Sequence, residues 1–425
     1  MSKHEFVEYL AYRDSEIEWL GIIPSHWNIC RVKEELVNLD YKRIPLSAEV
    51  RGEMQNPQYD YYGASGVIDV VDDYIFDEST ILIGEDGANI LMRNSPLAFI
   101  AKGKYWVNNH AHILKTKRGE LVYFCYLLES YDYTTLTSGS AQPKLTAFQL
   151  MNVWIMVPPS SEQKAIANYL DIKTAQIDRK IEILTKKATE YDELKQSLIN
   201  ETVTKGLDKT VGMKDSGVEW IGEVPEHWEI KRITDIAYQN KIKNSDLQEK
   251  NLLSLSYGKI VRKDFDTSFG LLPESFETYQ VVKPGTVILR LTDLQNDKKS
   301  LRVGLALEQG IITSAYLGLF FRKSVNHNFA YYLLHLYDLS KVFYWFGGGL
   351  RSTMRFDDIK AMPFIIPPTE EQEAIADYLD NKTAHIDRII EVINTQIERL
   401  KELRKTLIND VVTGKIRVTI EGEAV

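Results

Sequence analysis

The chain has 425 residues, 44% of them apolar and 26% charged, which is more sequence than one ordinary core holds and has the balance of a water-soluble globular protein. No apolar run reaches the ~18 residues of a membrane helix, the charged N-terminal stretch is no secretory signal, and two cysteines, Cys30 and Cys125, exclude a disulfide framework. The expected location is therefore the cytoplasm, and the net charge of -9 confines any polyanion site to a local patch.

Residues 1–32 end in a Trp-rich box, DSEIEWLGIIPSHWNICRV at 14–32, whose Trp19 and Trp27 are expected to pack against a helix rather than stack on a ligand. Residues 33–157 form a first globular segment with 11 basic and 16 acidic residues. A strand is expected over 79–84 and a short helix over 121–130. Tight loops are expected at Tyr62-Gly63-Ala64-Ser65-Gly66 and Gly84-Glu85-Asp86-Gly87. No acid stands between Asn89 and Gly119, whereas Arg93, Lys102, Lys104, Lys115, Lys117 and Arg118 do.

Residues 158–213 form a central helical spacer. Pro158-Pro159 cannot lie inside a helix, and Ser160-Ser161 can begin one. Apolar residues then recur at Ile177, Ile181, Leu184, Ala188, Tyr191, Leu194 and Leu198, a heptad seam with one three-residue irregularity. Residues 214–233 are a second Trp-rich box with Trp220 and Trp228. Residues 234–366 are a second globular segment with 17 basic and 13 acidic residues, a strand expected over 285–291 and a helix over 329–337. Residues 367–425 repeat the spacer without a gap, and about half of the positions in 158–206 and 367–415 are identical. Their seam reads Ile386, Ile390, Ile393, Ile397, Leu400, Leu403 and Leu407. Matching seams make the two helices natural partners. At 1.5 Å per residue each would be on the order of 65 Å long. The fold class is thus α+β, with two globular segments of mixed structure and two long helices in an antiparallel, pseudo-twofold coiled coil.

No phosphate loop, Rossmann glycine triplet or Asn-Pro-Pro-Tyr/Phe amino-methyltransferase motif is present. His110-x-His112 reads as a strand with alternating imidazoles rather than half a metal site, and Glu85-Asp86 reads as a polar turn. With no catalytic constellation and no metal site, the chain is not expected to be an enzyme by itself. Residues suited to DNA do occur, because Arg, Lys, Asn and Gln can pair with phosphates and base edges. In the first segment they are Lys102, Lys104, Trp106, Asn108, Asn109 and His110, with Ser138, Ser140, Gln142 and Lys144 just upstream of the first helix. In the second they are Arg290, Thr292, Tyr316, Arg351, Ser352 and Arg355. The stretches 138–144 and 346–355 are either contact loops or ordinary loops leading into a strand.

The duplicated order resembles the specificity subunits of type I restriction–modification enzymes. The resemblance rests on Pro158, Pro159, Glu162, Gln163, Ile166, Ala167, Tyr169, Leu170 and Asp171, repeated at Pro367, Pro368, Glu371, Gln372, Ile375, Ala376, Tyr378, Leu379 and Asp380. It rests also on the Gly-x-x-Pro-x-His-Trp boxes ending at Trp27 and Trp228. The stretches 62–66, 84–89 and 138–145 look like one family of target-recognition domain. The resemblance implies that each recognition domain reads half of a bipartite site in double-stranded DNA. It implies that the helices set the gap and dock modification subunits, two in number, and that restriction subunits then join. S-adenosylmethionine, ATP and Mg would be held by those partners and not by this chain. Arg290-Leu291-Thr292-Asp293 replaces Gly84-Glu85-Asp86-Gly87, so different half-sites are expected. A coiled-coil scaffold and a standalone two-headed DNA regulator are the alternative readings.

Overall fold

A computed structural model describes residues 8–137, 143–263, 275–292, 294, 301–346 and 353–418. Two compact units emerge: residues 1–184 with 395–425, and residues 185–394. The sequence boundaries treat each long helix as one spacer, whereas the packing divides each helix between the units. An amphipathic helix has to bury its seam, and here the nearest apolar surface is the other helix.

In the first unit the chain enters through the strand Asn28–Arg31, which pairs antiparallel with Trp154–Val157 at the far end of the globular segment. Between them lies an antiparallel sheet in the order Leu36–Asn38, Ala111–Thr116, Thr80–Gly84, Ala98–Ala101. Ile81, Leu82 and Ile83 are buried on both faces of this sheet, which is why that stretch is uniformly apolar instead of alternating. One face packs on the helix Leu121–Ser130. The other meets a second sheet, Gly66–Val71, Tyr59–Gly63, Lys104–Val107, Phe76–Asp77, through Leu82, Ala101, Tyr105 and Ile113.

The second unit repeats this plan. Strand Glu229–Arg232 pairs with Pro363–Ile366. The main sheet runs Ala237–Gln239, Leu317–Phe321, Val287–Leu289, Val303–Leu305, and the helix is His327–Leu339. Asn326 starts that helix by accepting from the N–H groups of Asn328 and Phe329. The smaller sheet of the first unit is here two two-stranded pairs, Leu253–Ser256 with Lys259–Arg262 and Gln280–Val282 with Gly310–Ile312, joined by the parallel bridge between Leu252 and Ile311.

The long helices span Ser160–Lys205 and Thr369–Val412. Each unit holds the first part of one against the last part of the other, so the pairing within a unit is antiparallel. In the first unit Asp178 Oδ1 accepts from Arg404 Nε at 3.0 Å, and in the second Asp387 Oδ1 accepts from Lys195 Nζ at 2.8 Å. These are the same two positions of the repeat. The seam differs from the sequence reading at one step. Leu194 and Leu403 are exposed, at 53% and 47%, while Lys195 and Arg404 take the inward positions. With those cations counted, the spacing is a regular alternation of four and three. The irregularity came from preferring a leucine to an adjacent cation whose aliphatic stem can lie in a seam. Ile177, Ile386 and Ile393 are buried, and Ile181, Leu184, Tyr191, Leu198, Ile390, Leu400 and Leu407 are half-buried.

The repeated motifs tie each globular segment to its helix. Glu162 accepts from Trp27 Nε1 at 3.1 Å, from Tyr9 Oη at 3.1 Å, and lies 2.6 Å from His26 Nε2. Glu371 does the same for Trp228 and His227, at 2.9 and 2.6 Å. Gln163 caps Glu120 N–H and Gln372 caps Asn326 N–H, each at the start of a recognition-domain helix. Asp171 accepts from Tyr126 Oη at 2.8 Å and Asp380 from Tyr332 Oη at 2.7 Å. Trp27 and Trp228 are almost fully buried, against Gly414 and Gly206 at the helix ends. Both Trp-rich boxes therefore serve packing.

Candidate nucleic-acid interface

Four loops that are far apart in the sequence converge at one end of the first unit's main sheet. Asn108 N–H donates to the Tyr62 carbonyl, Glu85 N–H to His110, Leu145 N–H to Glu85, and Gly87 N–H to Pro143. Gly84 is where a side chain would not fit: a Cβ there would stand 2.7 Å from the Ala64 carbonyl oxygen. The loops at 62–66, 84–87, 108–110 and 143–145 thus form one contiguous rim.

Charge on this rim is organised around Glu85. Its carboxylate is paired with Arg43 and with Lys144 Nζ at 3.0 Å. Burial opposes ionisation of Glu85, but the hydrogen bonds from Arg43 and Lys144 outweigh it and hold the carboxyl below its usual range. Asp40 behaves likewise: burial is overcome chiefly by the hydrogen bond with His112, 2.6 Å away. His112 is buried and also lies 2.8 Å from the Leu145 carbonyl through Nε2. His110 sits in the preceding turn, exposed, with Nδ1 2.9 Å from Asp86. The two imidazoles thus have separate carboxylate partners and do not alternate along one strand. Among the described residues no group of His, Cys, Asp and Glu is arranged to hold a metal ion.

The candidate contacts fall into distinct settings. Lys102 and Lys104 are exposed beside Gly103 at the turn before strand Lys104–Val107, and Lys104 Nζ lies 4.5 Å over the Tyr74 ring. Asn109 is exposed on the rim, as are His110 and Lys144. Trp106 is half-buried and donates to the Ile44 carbonyl at 2.6 Å. Asn108 is turned inward, where its Oδ1 accepts from His110 N–H at 2.8 Å and holds the turn. Ser138, Ser140 and Gln142 lie outside the described residues. The wider basic stretch is largely engaged within the fold: Lys115 pairs with Glu78, Arg118 with Glu35, and Lys117 donates to the Lys33 carbonyl. Arg93 is held by Glu129 and nearby carbonyls. Sequence reasoning missed Arg43, the cation that joins Asp40, Glu85 and the Ala111 carbonyl. Asp40 alone is near it in the sequence; Glu85 and the Ala111 carbonyl reach it only when the strands assemble.

The second unit builds the same rim from different chemistry. Thr292 bridges to Thr353 where Asp86 bridges to Lys144, and Met354 N–H donates to the Leu291 carbonyl as Leu145 does to Glu85. Buried Leu291 thus stands where Glu85 gathers Arg43 and Lys144. Arg302, fully buried, donates to the carbonyls of Arg290 and Thr292 at 3.0 and 2.8 Å and fixes that loop. Arg290 and Thr292 are half-buried and belong to the rim. Tyr316 is half-buried against the small core of Leu253, Val282 and Ile288. Arg355 is exposed just before the helix Phe356–Ile359, with its N–H donating to Asp358 at 2.7 Å. Arg351 and Ser352 lie outside the described residues.

Residues 24–191 and 225–399 match the family model described as the type I restriction modification DNA specificity domain. The MjaVIII type I restriction enzyme specificity subunit of Methanocaldococcus jannaschii is 25% identical over 424 residues, covering 93% of this chain and 94% of that protein. A Haemophilus influenzae protein assigned as a type I restriction enzyme specificity subunit is 25% identical over 434 residues, covering 95% and 98%. Among solved structures, a chain from work on assembly and conformational transition of the type I R-M system superposes with a TM-score of 0.66 at 12% identity, covering 92% of this chain and 98% of that one.

Proposed function

The chain belongs to the type I restriction modification DNA specificity family, and from that membership we propose that it is the subunit through which a restriction–modification complex reads a bipartite DNA site. Each globular unit reads one half-site with the rim at the end of its main sheet. The observation that carries this reading is the pair of rims with matching backbone bridges and unlike side chains, Glu85-Asp86-Lys144 against Leu291-Thr292-Thr353. Matching backbone geometry with exchanged chemistry is what two readers of different sequences need.

The chain contributes recognition and leaves the bond-making steps to its partners. Modification subunits, two in our reading, dock on the helix pairs and supply S-adenosylmethionine and adenine methylation. Restriction subunits supply ATP, Mg and DNA cleavage. The helices set the gap between half-sites. The assembly acts on double-stranded DNA in the cytoplasm. No described helix is long and apolar enough to cross a membrane.

The test is selection from random duplex DNA. The chain alone and the chain mixed with modification subunits are each incubated with the pool, and the bound fractions are sequenced. A split motif is expected with the complex. Enrichment of no motif would refute sequence reading and favour a scaffold. Equal enrichment by the chain alone would favour a standalone regulator.

A further inference from the structure

The strands Leu253–Ser256 and Lys259–Arg262 are joined by only two residues, Tyr257 and Gly258. Both have positive φ, +47° and +77°, the backbone of a tight hairpin turn. Asn-Gly and Asp-Gly suit such a turn, and a bulky aromatic residue in the left-handed region is disfavoured. Tyr257 is nevertheless there, and among the described residues nothing holds its side chain. It is 88% exposed, the most exposed aromatic side chain among the described residues, and it has no ring or hydrogen-bond partner among them. A residue that strains its backbone and exposes its ring is better explained by an external contact than by folding.

The hairpin that carries it is firmly seated. Gly304 leaves no room for a side chain, because a Cβ would come within 2.5 Å of Leu255 Cδ1 and 2.9 Å of Ile260 Cδ1. Gly258 rests against Leu301 and the Val303 carbonyl. Leu301 and Val303 flank Arg302, the residue that clamps the Arg290 and Thr292 carbonyls. The tip therefore lies at the same end of the sheet as the second rim. It occupies the place that the Ala64-Ser65 turn takes beside Gly84 and Leu97 in the first unit. Lys259, the next residue after the turn, pairs with Asp387 of the long helix at 3.6 Å and ties the hairpin to it.

We propose that Tyr257 is a specificity-determining residue of the second recognition domain, its ring stacking on or wedging beside a base of that domain's half-site. An aromatic wedge inserts at a base step, and steps differ in how readily they unstack, so a ring held out on a rigid hairpin favours some sequences over others at low entropic cost. The proposal rests on the reading that the unit binds DNA, and the experiment separates the two.

The full complex with modification subunits is prepared as wild type, Tyr257→Ala, Tyr257→Phe and Tyr257→Asn, and each is taken through selection and then titrated against the selected duplex and random duplex. Tyr257→Ala should lose affinity for the selected duplex on the order of tenfold, the scale of one base–aromatic stack. It should also lose base preference in one half of the motif only. Tyr257→Phe keeps the ring and should stay close to wild type. Tyr257→Asn relieves the turn, so its thermal midpoint should rise while its affinity falls as in Tyr257→Ala. A wild-type motif left unchanged in Tyr257→Ala overturns the role of Tyr257 and leaves the function standing. Equal losses on selected and random duplex, or a lowered midpoint in Tyr257→Asn, also overturn it. Absence of any wild-type motif overturns both.

Discussion

Glu162 and Glu371 occupy the same position of the repeat but receive different numbers of donors, which makes their substitution a calibrated experiment. Glu162 holds the buried indole N–H of Trp27, the hydroxyl of Tyr9 and the ring of His26. Among the described residues Glu371 holds only Trp228 and His227. Its side chain is 41% exposed, against 17% for Glu162. Burial, then the charge of Glu162, pushes the Tyr9 hydroxyl well above its usual range, so that donor stays protonated throughout. A bond to a charged partner contributes about 1.5–3 kcal/mol, and an orphaned buried donor costs about 1–3 kcal/mol. Glu162→Ala should therefore destabilise its joint by about 3–5 kcal/mol, and Glu371→Ala by about 1–2 kcal/mol less, the worth of the missing tyrosine bond and the greater solvent screening. The assay is amide hydrogen exchange over 158–166 and 367–375 in the whole chain, which reads each joint separately. The tryptophan emission of Trp27→Phe and Trp228→Phe variants assigns the signals. Equal losses at the two joints, or a loss below about 0.5 kcal/mol at Glu162, the level of an ordinary surface change, would refute the reasoning.

Three further outcomes follow from the same geometry. Replacing both Lys102 and Lys104 by Ala should weaken DNA binding and lower the slope of log affinity against log salt by about 1 for each phosphate no longer neutralised; an unchanged slope clears them of touching phosphate. Glu85 and Asp40 both ionise below the usual carboxylate range. Their stabilising contribution is complete above the ordinary carboxylate values near pH 4 and disappears as pH falls through the lower folded-state values. Exchange protection of the 84–87 and 108–113 segments should therefore fail in that acid window, and Glu85→Gln should lose part of it already at neutral pH. Protection that persists equally in acid would contradict the network. In the seam, Leu194→Lys and Leu403→Lys should change stability by less than about 0.5 kcal/mol, whereas Ile393→Ala should cost about 2–4 kcal/mol. Thermal and denaturant unfolding decide it, and a larger loss at the leucines would restore them to the seam.

Duplication, helix positions and family were legible from the chain alone. Repeats, Pro-Pro stops and heptad spacing are local or periodic properties that survive without knowing any contact. The expected helix at 121–130 matches Leu121–Ser130, and the long helices begin directly after the Pro-Pro pairs, at Ser160 and Thr369. Even so, the seam was read one residue off at Leu194 and Leu403, because hydrophobicity alone cannot recognise a cation placed inward by a carboxylate on the other helix. The site depended on tertiary structure throughout. Arg43, Glu85, Asp86, His110, His112 and Lys144 are scattered over a hundred residues and meet only through strand order. Asn108 looked like a base reader and is turned inward, since the side a residue faces is set by the sheet that forms around it.

The repeat by itself determined that two alike helices carry two unlike heads, because spacing and identity are written along the chain. Which polar residues face outward, which glutamates close the joints, and where Tyr257 stands were decided only in three dimensions. Those properties belong to contacts between segments distant in sequence, and no single segment carries them.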